Sequence, residues 1–257
     1  MLEGQGISVG YNGCEVVAPV SFVVSAGEIV VVLGANGAGK TTLLRALNGS
    51  LPVMQGEILL AGENLKTLSR RNIARRVTVV AQETETRFPV TVLEFVLSGR
   101  FASSGSLSWE TKNDLETARN ALIEADLANF EKRLINQLSG GERQRAVFAR
   151  ALATEARILL LDEPTANLDL AHQVSLLKLV RQKCDALKYC AVVITHDLNL
   201  AAEFADSILL LKHGKLIAAG SPERVLTNLN LRETFGVEVL LDAHPASGKT
   251  RVTTIYQ

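Results

Sequence analysis

A glycine-rich segment between a predicted strand and a predicted helix constrains this chain more than any other feature of its sequence. The segment reads Gly34, Ala35, Asn36, Gly37, Ala38, Gly39, Lys40, Thr41 and is followed by Thr42. It matches the pattern G-x-x-x-x-G-K-[ST], follows the apolar run Ile29–Leu33 and precedes a helical pattern over Thr41–Leu47. Glycines let the backbone curl with its N–H groups directed inward, and the dipole of the following helix favours negative charge. The segment therefore predicts a loop that binds the phosphates of a nucleoside triphosphate.

Two side chains of this loop have the chemistry that such a ligand requires. The Lys40 ammonium is expected to neutralise the β- and γ-phosphates, and the Thr41 hydroxyl is expected to ligate Mg²⁺. The loop alone leaves the class of protein open, because kinases, GTPases, helicases and transporter ATPases all contain it.

Short apolar runs alternate with helical patterns along most of the chain. These runs are Ile29–Leu33, Val77–Val80, Ile158–Leu161, Val192–Thr195 and Ile208–Leu211. Bounded runs of this length are typical of strands buried on both faces, which predicts a parallel sheet covered by helices. Ile7–Gly10 and Gly56–Leu60 are predicted as outer strands, and His213-Gly214 as a hairpin turn. The predicted fold class is therefore α/β.

The alternation stops between residues 90 and 153, where only helical patterns occur. They cover Val92–Leu97, Glu110–Ala125 and Glu142–Ala153. We therefore predict a single domain over residues 1–257. Its nucleotide-binding core, with a β subdomain, comprises 1–89 and 154–257, and 90–153 form an inserted helical subdomain.

Two acidic residues end one of the predicted buried strands. Ile158–Leu161 leads directly into Asp162 and Glu163. Asp162 is expected to support Mg²⁺, and Glu163 is expected to orient and activate the attacking water. Alone, this pair would be an ordinary acidic turn before Pro164. The phosphate loop upstream favours the catalytic interpretation.

A second segment has the composition of a phosphate site. Leu138 and Ser139 are followed by Gly140, Gly141 and Glu142, directly before the helical pattern Glu142–Ala153. A hydroxyl, exposed backbone N–H groups and a helix N-terminus can bind a phosphate, although a lone segment of this type is usually a helix cap. A nucleoside triphosphate has one γ-phosphate, and the phosphate loop at residues 34–41 is already predicted to bind it.

Taken together, these motifs resemble those of the ATP-binding cassette (ABC) ATPases. The motifs, in the order of that family, are the phosphate loop, Gln82, Leu138–Glu142, Asp162-Glu163, Asn167-Leu168-Asp169 and Thr195-His196-Asp197. The resemblance covers essentially the whole chain. It implies a P-loop NTPase (RecA-like) core with an antiparallel β part and an inserted helical subdomain, and ATP and Mg²⁺ as ligands.

The resemblance also implies roles for residues that carry little signal alone. Tyr11 is similar to the aromatic residue on which adenine stacks. The alternative is that it is an ordinary core or surface tyrosine. Gln82 is similar to the glutamine that contacts Mg²⁺ and the attacking water. His196 is similar to the switch histidine that contacts the γ-phosphate, and Asp169 to the aspartate of a loop that crosses the dimer interface.

In this family, two cassettes pack head to tail around ATP. The resemblance implies that Ser139, Gly140, Gly141 and Glu142 act on ATP held by the phosphate loop of the partner. The chain has one copy of each motif, so a complete site requires a second chain, most simply an identical one.

Features that the sequence lacks indicate to which branch of the ABC family it is similar. It shows neither long heptads nor a duplicated cassette, which favours transport over the repair and translation relatives. Its apolar runs are far shorter than the roughly 20 residues that a membrane span needs, and Met1–Gly4 does not resemble the start of a secretory signal. We therefore expect a subunit held at the cytoplasmic face of the inner (plasma) membrane by a separate permease.

Finer features resemble the importers of iron chelates, haem and cobalamin. These features are Ala74–Val77, Phe88–Val92, Leu97–Arg100, Thr195–Ala202 and Ala219–Thr227. The expected partners are integral-membrane permease subunits and, indirectly, a periplasmic or lipid-anchored substrate-binding protein. Lys plus Arg and Asp plus Glu both number 27, so charge gives no reason to expect a nucleic acid partner. ABC exporters of lipoproteins or drugs and non-transport ABC ATPases remain alternatives.

Overall fold

The strand that leads into the phosphate loop lies inside a six-stranded sheet. The computed structural model describes residues 1–81, 89–103 and 111–255. The strands are β1 (Leu2–Tyr11), β2 (Cys14–Val24), β3 (Ile29–Gly34), β4 (Gln55–Leu60), β5 (Glu63–Asn64), β6 (Val77–Val80), β7 (Ile158–Asp162), β8 (Cys190–Ile194), β9 (Ser207–Lys212), β10 (Lys215–Gly220), β11 (Val239–Ala243) and β12 (Thr250–Thr254). The helices are α1 (Lys40–Leu47), α2 (Arg70–Ala74), α3 (Val92–Leu97), α4 (Lys112–Glu124), α5 (Gly140–Ala153), α6 (Leu170–Leu187), α7 (Leu198–Phe204), α8 (Pro222–Val225) and α9 (Asn228–Phe235). Short 3₁₀ turns cover Leu65–Thr67, Ser98–Ala102, Ala128–Phe130 and Ile135–Gln137.

The main sheet has the order β10-β9-β3-β8-β7-β6. Its strands are parallel except β10, which forms an antiparallel hairpin with β9 through His213-Gly214. Every residue of β3, β7 and β8 is buried, because helices or a second sheet cover both faces. The predicted parallel sheet and hairpin turn are confirmed, and the α/β fold class with them. The strand predicted over Val192–Thr195 ends at Ile194 and begins two residues earlier, at Cys190.

The two faces of the sheet belong to two different apolar clusters. Along β3, Val30 and Val32 pack with α1 and a second, four-stranded antiparallel sheet of order β2-β1-β4-β5. Ile29 and Val31 pack on the opposite face, in a cluster that includes helices α3 to α6. The outer strands predicted at Ile7–Gly10 and Gly56–Leu60 are confirmed as parts of β1 and β4, although β1 is longer.

The helices α3, α4 and α5 lie within the range predicted to be helical. α5 begins at Gly140 rather than Glu142, because Ser139 caps it. The buried cluster continues from the sheet into these helices, and the division into core and helical subdomain stays a prediction. In the described ranges, no helix has the length and apolar character of a membrane span.

Candidate nucleotide-binding site

The phosphate loop leaves β3 at the carboxyl edge of the parallel sheet and turns directly into α1. Two positions require glycine on steric grounds. A Cβ atom at Gly34 would lie 2.3 Å from the carbonyl oxygen of Leu211, and one at Gly39, where φ is +94°, would lie 2.6 Å from Val17. The hairpin turn between β9 and β10 supports the loop, because the Gly214 N–H donates to the Ala38 carbonyl at 3.2 Å. The backbone is therefore held tightly between two strands.

Lys40 is 7% exposed and is held by the loop that precedes it. Its Nζ donates to the carbonyl oxygens of Gly34 at 2.8 Å and Ala35 at 3.0 Å. Burial lowers the pKa of the ammonium, and the nearby carboxylates of Glu163 and Asp162 oppose that shift. An ammonium has three donors, so a third N–H can donate to a phosphate oxygen in the pocket that this loop lines.

Asp162, the last residue of β7, lies beside Thr41, the second residue of α1. Burial raises the pKa of the Asp162 carboxyl, and a hydrogen bond from the Thr41 hydroxyl opposes that rise. No group of three or more Asp, Glu, His and Cys side chains within the described ranges is arranged to hold a metal. Mg²⁺ bound with a nucleotide needs no such group, because one or two protein oxygens, phosphates and water suffice. The hydroxyl and carboxylate fit that chemistry; Gln82, the third predicted ligand, lies outside the described residues.

Glu163 and His196 follow neighbouring strands, β7 and β8. The Glu163 backbone has a φ of +46°, and its N–H donates to the Ile194 carbonyl at 3.0 Å. Its Oε1 lies 3.6 Å from Nδ1 of His196. The Glu163 side chain is 17% exposed, whereas the imidazole is 72% exposed. The carboxylate is therefore largely enclosed, and the imidazole projects into solvent beside it.

A single open pocket of about 800 Å³ brings most of the predicted residues together. Its lining comprises Val16, Gly34, Ala35, Asn36, Gly37, Ala38, Gly39, Lys40, Thr41, Thr42, Glu163, His196 and Phe235. Val16 and Phe235 were not predicted from the sequence. Neither has a local signal, since β2 and α9 reach the pocket only through the folding of distant segments.

Tyr11 lies at the end of β1, beside the pocket, but is not part of its lining. Its side chain is bound to Thr42 and Arg45, and these two hydrogen bonds lower the pKa of the phenol. The bond from Arg45 is 3.2 Å long. Tyr11 is 40% exposed, so its ring is accessible close to Thr42, which does line the pocket.

The segment around Ser139 is a helix N-terminus away from this pocket. The Ser139 Oγ accepts from the Glu142 N–H at 3.3 Å, and the Glu142 carboxylate accepts from the Ser139 N–H at 2.7 Å. Hydrogen bonds to the Glu142 carboxylate, first from the Ser139 backbone N–H and then from its hydroxyl, lower the pKa of Glu142. Gly140 and Gly141 form the first turn of α5 rather than preceding the helix. None of these four residues lines the pocket of its own chain.

Asp169 caps α6 and is exposed. Its Oδ1 accepts from the His172 N–H at 2.9 Å and lies 2.7 Å from the His172 Nδ1. The bond from the His172 backbone lowers the pKa of the Asp169 carboxyl. Like Ser139, Asp169 combines a local capping role with an exposed position outside the pocket.

Comparisons with known proteins identify the family. The family model described as ABC transporter matches residues 17–166. The hemin import ATP-binding protein HmuV of Hahella chejuensis is 38% identical over 261 residues, which cover 98% of this chain and 99% of that protein. The cobalamin import ATP-binding protein BtuD of Halobacterium salinarum is 38% identical over 254 residues and 99% of this chain, which spans only 63% of that relative's length.

Solved structures have the same fold. A metal-chelate type ABC transporter in an inward-facing conformation matches with a TM-score of 0.86 and 30% identity, covering 100% of this chain and 98% of the other. A bacterial ABC transporter cassette whose structure is dimeric matches with a TM-score of 0.77 and 27% identity, covering 86% and 99%. The phosphate loop, the acidic pair and the segment at Ser139 all lie within the range of the family model. The chain therefore belongs to the ABC transporter family, and its fold is that of the ATP-binding domain of that family's ATPases.

Proposed function

We propose that this chain is the ATP-hydrolysing subunit of a bacterial ABC importer, acts as a dimer and drives a separate permease. The observation that carries the proposal is the composition of the pocket. It contains the phosphate loop, Glu163 and His196, but it lacks Ser139 and the first turn of α5. The pocket and the segment at Ser139 lie on different surfaces of one chain. Each complete site therefore needs a second copy of the chain.

Nucleotide binding is assigned to the loop and its neighbours. The backbone N–H groups of Gly37 and Gly39 and the Lys40 ammonium bind phosphate oxygens, and the Tyr11 ring stacks on adenine. Thr41, Asp162 and Gln82 would hold Mg²⁺. That ion supplies positive charge against the charge that develops on the phosphates during hydrolysis.

Hydrolysis is assigned to Glu163 and His196. The carboxylate accepts a hydrogen bond from the attacking water and orients it, and the imidazole contacts the γ-phosphate from the neighbouring strand end. Gln82 is proposed as a further contact of the water. This chemistry relies on positioning and charge stabilisation, and no residue forms a covalent intermediate.

Dimer closure is assigned to Ser139, Gly140, Gly141 and Glu142. The exposed first turn of α5 binds the γ-phosphate of ATP held by the partner, and Asp169 lies in the loop that crosses between the two chains. Closure draws the two helical subdomains, residues 90–153, towards each other and moves the permease. The dimeric structure of the related cassette supports the pairing of two chains.

Import of a metal chelate is the proposed transport direction and cargo class, with siderophore, haem and cobalamin as candidates. It is supported by the names of the relatives, which are hemin and cobalamin import proteins. The proposed partners are integral-membrane permease subunits and, through them, a substrate-binding protein outside the membrane. The chain itself would then lie at the cytoplasmic face.

The test is reconstitution of the chain with the permease encoded beside it, in liposomes that report uptake and ATP turnover. An importer should take up ferric siderophore, haem or cobalamin, and its turnover should rise several-fold when the loaded binding protein is added, since such couplings are typically worth about 1–3 kcal/mol. Turnover that responds only to lipid or drug presented on the cassette side would establish export instead.

A further inference from the structure

We infer that Asn199 is a positioning residue for ATP hydrolysis, because it fastens the C-terminal hairpin β11–β12 to the helix that begins next to His196. This inference rests on the role proposed for His196. It concerns a part of the chain that lies outside the motifs of the phosphate pocket.

The Asn199 side chain binds both backbone groups of one residue in β12. Its Nδ2 donates to the Val252 carbonyl at 3.1 Å, and its Oδ1 accepts from the Val252 N–H at 2.8 Å. These two hydrogen bonds run in opposite directions between Asn199 and one residue of β12. They fix the distance and the orientation of Asn199 relative to the strand, as the bonds of a neighbouring strand would. The hairpin also reaches the far end of α7, where Ser247 Oγ donates to the Glu203 carboxylate at 2.8 Å.

The segment between Asn199 and His196 is stiff enough to transmit a displacement. The Asp197 carboxylate caps α7 and accepts from the N–H groups of Asn199 and Leu200, each at 2.9 Å. The Asp197 N–H in turn donates to the hydroxyl of Thr195 at 3.1 Å, and Thr195 is buried. His196 lies between these tied residues. A shift of the first turn of α7 therefore moves His196.

The inner face of α7 packs through apolar contacts around a small cavity. Leu200, Ala201 and Phe204 line this cavity together with Thr195 and with residues of the sheet, of α6 and of the segment after Glu163. Apolar packing is non-directional, and a cavity removes part of the contacts that would hold a helix in place. The position of α7 along its axis is therefore set by directional hydrogen bonds. These include the bonds from the hairpin β11–β12.

This arrangement predicts an effect on turnover and not on nucleotide affinity. ATP is bound mainly by the phosphate loop, which comes from β3 and α1. A displaced His196 leaves that binding intact but misplaces a group that must contact the γ-phosphate. Misplacement by about 1 Å can cost up to roughly 100-fold in rate.

The experiment compares Asn199→Ala with Ser247→Ala in the full chain. Asn199 is exposed, so its truncation opens no cavity in the core. We expect kcat to fall about tenfold while KM for ATP changes less than about twofold. Ser247→Ala also removes a tie between hairpin and α7, at the end far from His196, and should keep kcat within about twofold of wild type. Asn199→Asp keeps the acceptor and loses the donor, so its kcat should be intermediate; it carries the test if Asn199→Ala does not fold.

A double-mutant cycle decides whether Asn199 acts through His196. Single-turnover hydrolysis is measured for His196→Ala with and without Asn199→Ala. A residue that acts through His196 should cost less than about twofold once His196 is absent. Equal losses in both backgrounds, an unchanged kcat, or a raised KM alone would overturn the inference. If His196→Ala itself hydrolyses ATP at the wild-type rate, the proposed role of His196 is what fails.

Discussion

The carboxylate of Glu163 and the imidazole of His196 face each other 3.6 Å apart at the carboxyl edge of the central sheet. The pairing of β7 with β8 sets this distance, because Asp162 lies opposite Ile194 and the Glu163 N–H donates to the Ile194 carbonyl. A separation of 3.6 Å exceeds that of an ordinary hydrogen bond. Both groups line the pocket, so each can contact oxygens of a ligand bound there.

Glu163→Gln should abolish turnover and preserve ATP binding. The amide keeps the shape of the side chain, but it cannot accept a proton from the attacking water. Loss of such a group commonly lowers the rate on the order of 10²–10⁴-fold. ATPase assays and equilibrium dialysis separate the two effects, and Lys40→Ala serves as the contrasting variant because it should weaken binding itself. ATPase activity within about twofold of wild type would contradict the role of Glu163.

Mixed dimers should reveal which chain supplies Ser139 to each site. Ser139→Arg chains and Lys40→Ala chains are each expected to form only defective sites. If Ser139 acts on the partner's ATP, a mixed dimer contains one intact site, formed by the loop of the first chain and the Ser139 of the second. Trapping of ATP in the mixture, absent from either variant alone, is the expected result.

The mixing experiment distinguishes the two possible arrangements, because Ser139 acting within its own chain would give the opposite result. If Ser139 acted on ATP in its own chain, both sites of the mixed dimer would be defective, and no trapping would be seen. Gel filtration of Glu163→Gln with ATP provides the control, since it should show a dimer with nucleotide and a monomer without it.

Phe235→Ala should weaken ATP binding, because this ring forms part of the pocket wall. The ring lies at the end of α9, where it is partly buried against the apolar cluster that contains Leu231. Loss of an aromatic contact worth about 0.5–1.5 kcal/mol corresponds to a roughly 2- to 12-fold rise in Kd. Leu229→Ala is the matched control, because Leu229 lies on the same helix, is 75% exposed and does not line the pocket. Equal Kd values for the Phe235 and Leu229 variants would contradict the prediction.

The site residues that could be predicted from the sequence are those that follow buried strands. The phosphate loop, Asp162, Glu163 and His196 each come directly after, or within two residues of, an apolar run. Parallel strands place such ends at one edge, so their proximity follows from the pattern alone. Their roles in binding and hydrolysis remain predictions.

Other features depended on contacts that no local pattern contains. The tie between Asn199 and Val252 joins residues 53 positions apart, and Phe235 enters the pocket from the C-terminal part of the chain. The start of α5 was missed for a different reason. Because glycines occupy its first two positions, the helix was predicted to begin only at Glu142. The spacing of Ser139 and Glu142 is nevertheless that of a capping box.

Asp114→Asn should destabilise the region that carries α5, and the size of the loss should depend on pH. The Asp114 carboxylate accepts from Nε of Arg100 at 2.9 Å, and Arg100 also donates to the carbonyl of Ala153 at the end of α5. Hydrogen bonds from Thr111 and then Arg100 lower the pKa of Asp114. A lowered pKa means that the folded state favours the ionised carboxyl. This contribution is therefore complete above the ordinary pKa of about 4 and is lost as pH falls through the folded value.

At about pH 7, the substitution should lower the free energy of unfolding by about 2 kcal/mol, since it removes a charge-assisted hydrogen bond of the buried Arg100. The carboxylate of Glu155, 2.6 Å from the same guanidinium, continues to compensate its charge and keeps the loss moderate. Denaturant titrations at about pH 7, pH 5 and pH 3.5 should show a constant difference from wild type at the two higher values and a smaller one at the lowest. Asp126→Asn is the control, because Asp126 lies 3.8 Å from Arg145 and its side chain is 89% exposed. It should cost less than about 1 kcal/mol, as exposed pairs do. A difference for Asp114→Asn that stays the same at all three pH values would show that its ionised form does not stabilise the fold.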